Sequence, residues 1–131
     1  MQLMKRRILC VDEYDDTRFM LVNLFELSNY EVITASSVKD GLRLARSERF
    51  DLYILERRFN EGSGVDLCRE IRKLHPNTPI IFYSGDVYEA DQQEALSAGA
   101  QAYLTKPGDV GELVNCAHRL LAERKDAVTS G

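Results

Sequence analysis

Phe50-Asp51-Leu52-Tyr53-Ile54-Leu55-Glu56-Arg57-Arg58-Phe59-Asn60-Glu61-Gly62-Ser63-Gly64 is the stretch on which the fold turns. Leu52 to Leu55 form a short apolar run, the pattern of a strand covered on both faces. The run stops on a charge, Glu56, followed by Arg57 and Arg58. Asn60, Gly62, Ser63 and Gly64 then make a loop that cannot continue the strand. In an open α/β sheet, function gathers outside the carboxyl ends of the strands, so Glu56 is a candidate site residue.

Working outward, apolar strand runs alternate with helix patterns. Strands are predicted at Arg7–Val11, Tyr30–Ala35, Asp51–Leu55, Pro79–Tyr83 and Ala100–Leu104. The helix after the first strand is expected to be capped by Asp15 or Asp16, with Leu21, Leu24, Phe25 and Ser28 facing inward. Ser36 or Ser37 caps the second, which turns Val38, Leu42 and Ala45 to one face. A third, from Gly64 to about Leu74, carries Val65, Cys68 and Ile71 inward and is stopped by His75-Pro76. The fourth runs from about Tyr88 to Ala98 and ends at Gly99, a left-handed cap. The last, from Asp109 to Glu123, buries Leu113, Cys116 or Ala117, and Leu120. Residues 1–124 read as one domain and 125–131 as a frayed polar tail. Such alternation gives a doubly wound parallel sheet with helices on both faces.

Composition narrows the function classes. The chain has 131 residues, 44% of them hydrophobic and 29% charged, ordinary for a globular domain with its own core. A net charge of -4 gives no footing for a nucleic-acid surface. Cys10, Cys68 and Cys116 are odd in number, lie in apolar surroundings and form no CxxC pair, which suits reduced core residues. The apolar run after the basic amino terminus is too short for a signal peptide, and no run could span a membrane. The expected location is the cytoplasm.

Polar groups recur at the strand ends: Asp12 and Glu13 after the first, Glu56 after the third, Ser84 after the fourth, Lys106 beyond the fifth. Right-handed crossovers bring these ends to one edge of the sheet. Three carboxylates in one cleft favour a divalent cation, and oxygen ligands of this kind suit Mg²⁺. Ser84 and Lys106 supply a hydroxyl and a positive charge suited to a phosphoryl group. Singly, each has a structural explanation, as helix cap, turn or solvated charge. Jointly they favour a site.

These pieces resemble the receiver domains of bacterial two-component response regulators, from Arg7 to Leu121. The matching motifs are Ile8-Leu9-Cys10-Val11-Asp12-Glu13, Phe50 to Leu55, Gly64-Val65-Asp66-Leu67, Pro79-Ile80-Ile81 before Ser84-Gly85, Gly99-Ala100, and Tyr103-Leu104-Thr105-Lys106-Pro107. The resemblance implies a flavodoxin-like (βα)5 sheet of strand order 2-1-3-4-5. It further implies Mg²⁺ at the acidic pair with a backbone carbonyl at Arg58, phosphoryl transfer from a sensor histidine kinase to the residue ending the third strand, and a switch aromatic at Tyr103. Its expected partners are that kinase or another signalling protein, and a second copy through the fourth helix, fifth strand and fifth helix. Nucleic acid, membrane and enzymatic activity are not expected, and no output domain is expected after Leu121.

One position departs from the family pattern. Glu56 stands where the resemblance places a phospho-accepting aspartate. A glutamate carboxylate reaches about 1.5 Å further, and positioning errors of about 1 Å can cost on the order of 10²-fold in rate. An inefficiently phosphorylated receiver that acts through protein contacts is therefore expected, the alternative being a working Mg²⁺-dependent phosphoacceptor. Asn60 and Gly108 also depart from the family's proline and aromatic. At the pocket mouth, Arg58 and Asp86 are expected either to pair with each other or to leave Arg58 leaning on Glu56, and two solvated side chains are the plain alternative. His75 and His118 are expected at the surface. A nucleotide- or flavin-binding enzyme of the same topology is disfavoured, because no glycine-rich turn follows the first strand.

Overall fold

Strand and helix alternate along the whole described chain. The computed structural model describes the backbone of residues 5–130 and the side chains of residues 5–124. The order is β1 (Arg7–Val11), α1 (Asp15–Glu26), β2 (Glu31–Ala35), α2 (Val38–Ser47), β3 (Leu52–Leu55), α3 (Gly64–Leu74), β4 (Ile80–Ser84), α4 (Glu89–Ser97) and β5 (Ala102–Thr105). A single 3₁₀ turn (Val110–Glu112) then leads into α5 (Leu113–Ser130). The sheet is parallel, in the order β2-β1-β3-β4-β5, which is the expected flavodoxin-like arrangement. The side chains expected in a frayed tail at 125–131 lie outside the described residues.

Alternation along the strands divides the core in two. Leu9, Val11, Tyr53, Leu55, Ile80 and Phe82 pack with Ala45, Leu67, Cys68, Ile71 and Ala95 on the face of α2, α3 and α4. Ile8, Cys10, Leu52, Ile54, Ile81 and Tyr83 pack with Leu21, Phe25, Leu113, Ala117 and Leu120 on the face of α1 and α5. β3 and β4 are buried throughout, which is why they read as unbroken apolar runs rather than alternating ones. All three cysteines are buried free thiols. Burial pushes the Cys68 thiol up to about 11, so it stays protonated and unreactive.

Helix starts follow local chemistry, with one correction. Ser37 Oγ accepts from the Asp40 amide and Ser63 Oγ from the Val65 and Asp66 amides. Neither Asp15 nor Asp16 caps α1. Tyr14 occupies the cap position without a side-chain bond, its amide donates to Asp12 Oδ1 at 2.9 Å, and both aspartates sit in the first turn, favourably placed toward the helix dipole.

Several edges shift. β4 includes Ser84 because the parallel ladder continues to the Ser84–Thr105 pair. β5 begins only at Ala102, because Gly99 has a φ of +117° and Gln101 turns its side-chain oxygen to the Ile80 amide at 2.7 Å. Arg72, from α3, ties this corner together. It donates to the backbone oxygens of His75, Pro76, Thr78 and Gly99, and so joins the end of α3 to the starts of β4 and β5. His75 is not a plain surface residue, since its Nε2 lies 2.9 Å from the Ala45 carbonyl oxygen and its ring stacks on Tyr53. His118 is exposed, with Nδ1 2.7 Å from the Tyr30 hydroxyl.

Candidate functional site

At the carboxyl edge of the sheet, β1 and β3 deliver two buried carboxylates and the loop after β5 delivers a lysine between them. Lys106 Nζ donates to Asp12 Oδ2 at 2.8 Å and to Glu56 Oε1 at 2.9 Å. Asp12 is 2% exposed and Glu56 6%. The lysine enters because its backbone amide pairs with the Ser84 carbonyl at 2.8 Å, just past the β4–β5 ladder. Its ammonium also lies 5.5 Å from the Tyr14 ring and 5.7 Å from the Tyr83 ring, within cation–π range.

The remaining carboxylate oxygens are engaged as well. Glu56 Oε2 accepts from the Arg57 amide, and Asp12 Oδ1 accepts from Tyr14. Burial raises the Asp12 carboxyl above its ordinary range, against the lowering effect of the Lys106 hydrogen bond. Burial works against the Lys106 charge too, but its bonds to Asp12 and Glu56 outweigh that and raise it.

A cation site of Asp12, Glu13 and Glu56 is not assembled. Glu13 turns away, its Oε1 accepting from the Asn60 amide at 3.0 Å, while Lys106 occupies the space between the other two. Among the described residues no group of three acidic, histidine or cysteine side chains could hold a metal ion. As arranged, a cation at Asp12 and Glu56 would have to displace the Lys106 ammonium from between them.

Glu56 projects from a tightly closed turn. Gly64, the first residue of α3, returns against it, its amide donating to the Arg57 carbonyl at 2.8 Å. A Cβ on Gly64 would stand 1.8 Å from the Glu56 backbone oxygen, so only glycine fits.

Ion pairs stand at the mouth. Arg58 Nε meets Asp86 Oδ2 at 2.8 Å, one of the alternatives weighed for this position, with the Arg58 side chain 74% exposed and no side-chain bond to Glu56. Arg57 is the better-buried partner. Its guanidinium reaches Asp86 at 3.0 Å, Asp91 at 3.1 Å and Glu94 at 3.0 Å. The sequence reading missed this residue, although the spacing of Asp91 and Glu94 on one turn of α4 was a usable signal.

Ser84 is buried, and its Oγ accepts from the Asp86 amide at 3.2 Å. Tyr103 stacks on Phe82 and donates its hydroxyl to the Asp86 carbonyl at 2.6 Å. The cavity at this edge, about 600 Å³, is lined by Glu13, Tyr14, Glu56, Arg58, Ser84 and Lys106, among others.

Comparison with known proteins places the fold in one class. The model of the response regulator receiver domain matches residues 8–118, and the chain belongs to that family. Among curated relatives, the response regulator protein PilR of Pseudomonas aeruginosa is 35% identical over 119 residues, covering 88% of this chain and 27% of PilR. The alkaline phosphatase synthesis transcriptional regulatory protein PhoP of Bacillus subtilis is 33% identical over 104 residues, covering 79% of this chain and 43% of PhoP. The chain thus spans less than half the length of these two relatives.

Solved structures agree. A CheY-like receiver domain protein from Methanospirillum hungatei superposes with a TM-score of 0.86 at 27% identity, over 95% of this chain and 99% of that one. The response regulator TrrA of Thermotoga maritima, solved with Mg²⁺ and beryllium fluoride, gives 0.80 at 29% identity, over 88% and 98%. No helix among the described residues is long and apolar enough to cross a membrane.

Proposed function

We propose that this chain is a receiver module of two-component (phosphorelay) signalling in which Glu56 holds the phosphoacceptor position and is not efficiently phosphorylated. Its output is then protein–protein contact rather than catalysis. The observation that carries this reading is the Glu56–Lys106 pair at 2.9 Å. The carboxylate already holds the lysine that a phosphoryl oxygen would need, and Asp12 takes the same ammonium. With Glu13 turned to Asn60, the acidic pair is also not set for a cation.

Sensor histidine kinases or other signalling proteins are the partner class, and a second copy through α4, β5 and α5 is a further candidate. The cytoplasm is the compartment this role requires. Ser84, Lys106 and Tyr103 take the hydroxyl, charge and switch roles, with Arg58 and Asp86 at the mouth.

Beryllium fluoride, a phosphoryl analogue, tests the pocket. With Mg²⁺ and beryllium fluoride, the amide signals of Ser84, Tyr103 and Lys106 should stay unmoved in the wild type. In Glu56→Asp they should shift to a new saturating position. Saturable shifts in the wild type would restore a working phosphoacceptor.

A further inference from the structure

The loop from Gly85 to Tyr88, between β4 and α4, has little packing to hold it. Nothing stands within 4 Å of where a side chain on Gly85 would begin, and Val87 and Tyr88 are exposed. It is nevertheless fastened at Asp86 by four bonds: from Arg57 and Arg58 to its carboxylate, from Tyr103 to its backbone oxygen, and from its amide to Ser84 Oγ.

Arg57 differs from Arg58 in reach. Its backbone amide donates to Glu56 Oε2, while its side chain spans Asp86 in the loop and Asp91 and Glu94 on α4. One residue therefore touches both the pocket carboxylate and the helix beside the switch tyrosine. The Arg57 side chain is 17% exposed, and its Nε is buried with no partner among the described residues. A buried donor left unpaired is unfavourable, so this guanidinium is held by its carboxylates against a local penalty.

The geometry points to Arg57 as a positioning residue that ties α4 and the Asp86 loop to the Glu56 end of β3, and so holds Tyr103 on the Asp86 carbonyl. This rests on the reading of Glu56 as an unphosphorylated pocket residue and adds how that state reaches α4. A permanent ionic bridge does here what a transient group would do in a phosphorylated pocket. Arg58 sits at the mouth, and although its backbone amide also approaches Glu56 Oε2, at 3.4 Å, its side chain pairs with Asp86 and not with α4, so it cannot take over the role.

Arg57→Met keeps the aliphatic stem and removes the bridge, and Arg58→Ala is the control. Amide hydrogen exchange over residues 87–97 should rise about tenfold in Arg57→Met, as expected when a local opening loses its main restraint. The Tyr103 ring signals should move away from their Phe82-stacked positions in the same variant. In Arg58→Ala both readouts should stay within about twofold of wild type. Equal responses in the two variants, or none in either, would overturn the proposal.

Should Arg57→Met loosen the whole protein, Asp91→Ala combined with Glu94→Ala removes both acceptors on α4 and leaves Arg57 on Asp86. The same α4 and Tyr103 changes are expected there, and their absence would count equally against it. If phosphoryl labelling of the wild type occurs while Arg57→Met behaves as expected, only the reading of Glu56 fails.

Discussion

Gly64→Ala should destabilise the protein by about 3 kcal/mol or more, seen as a lower urea midpoint at unchanged m-value. Overpacking usually costs about 1–3 kcal/mol, because flexible side chains yield a little. Here the obstacle is backbone: the added Cβ would meet the Glu56 carbonyl oxygen at 1.8 Å and the Arg57 Cα at 3.0 Å. Relief requires the β3–α3 turn to open, which would break the 2.8 Å bond from the Gly64 amide to the Arg57 carbonyl. Because Glu56 and Arg57 stand on that turn, signals of Lys106 and Tyr103 should shift together with the loss of stability. A cost below 1 kcal/mol would mean that the turn is far more pliable than this close approach requires.

Lys106→Met should cost about 3 kcal/mol at pH 7, toward the low end of the range for breaking a buried pair, since the lysine is partly open to water. The variant leaves Asp12 and Glu56 facing each other without a cation. The pH dependence of the loss identifies its origin. In the wild type, Asp12 already titrates above its ordinary 3.8. Between that value and the raised one the folded protein keeps a proton that the unfolded chain has released. Stability from this group is therefore full below 3.8 and is lost as the pH rises through the raised value.

Removing Lys106 widens that window upward, so the deficit against wild type should shrink as the pH is lowered from 7 toward 4. At the alkaline end the wild type shows the complementary effect. Stabilisation from Lys106, whose ammonium titrates above its ordinary 10.5, is full below 10.5 and is lost as the pH rises through the raised value. Denaturation midpoints of the two proteins across this range check both signs. A deficit independent of pH would place the loss in packing rather than charge.

The strands and their carboxyl ends were legible in the sequence because both rest on short-range signals, whereas the strand order followed only from the resemblance to receiver domains. Apolar runs such as Leu52–Leu55 and Ile80–Tyr83 mark buried parallel strands, and a polar residue directly after each run marks its carboxyl end. The arrangement inside the pocket was not legible. Whether Lys106 or a cation lies between Asp12 and Glu56 depends on where a long side chain from a distant loop ends. Likewise, only the folded backbone shows that the Asn60 amide draws Glu13 aside.

Arg72 and Arg57 illustrate the same limit. Each reads in sequence as a helix-face or loop charge, yet each folds back to bind groups twenty or more residues away. The cap of α1 was misplaced for a related reason. Asp12 lies at the strand end, but it captures the Tyr14 amide, and Asp15 and Asp16 fall in the first turn rather than at the cap, Asp15 pairing with Arg18.

Intact mass after incubation with Mg²⁺ and acetyl phosphate, wild type beside Glu56→Asp, tests the central claim most directly. The expected result is a phosphoryl adduct on the aspartate variant and none on the wild type, because shortening the side chain frees Lys106 and restores room for the group. A phosphorylated wild type, or an aspartate variant that remains unlabelled under the same conditions, would contradict the claim that Glu56 alone holds this pocket in its unphosphorylated state.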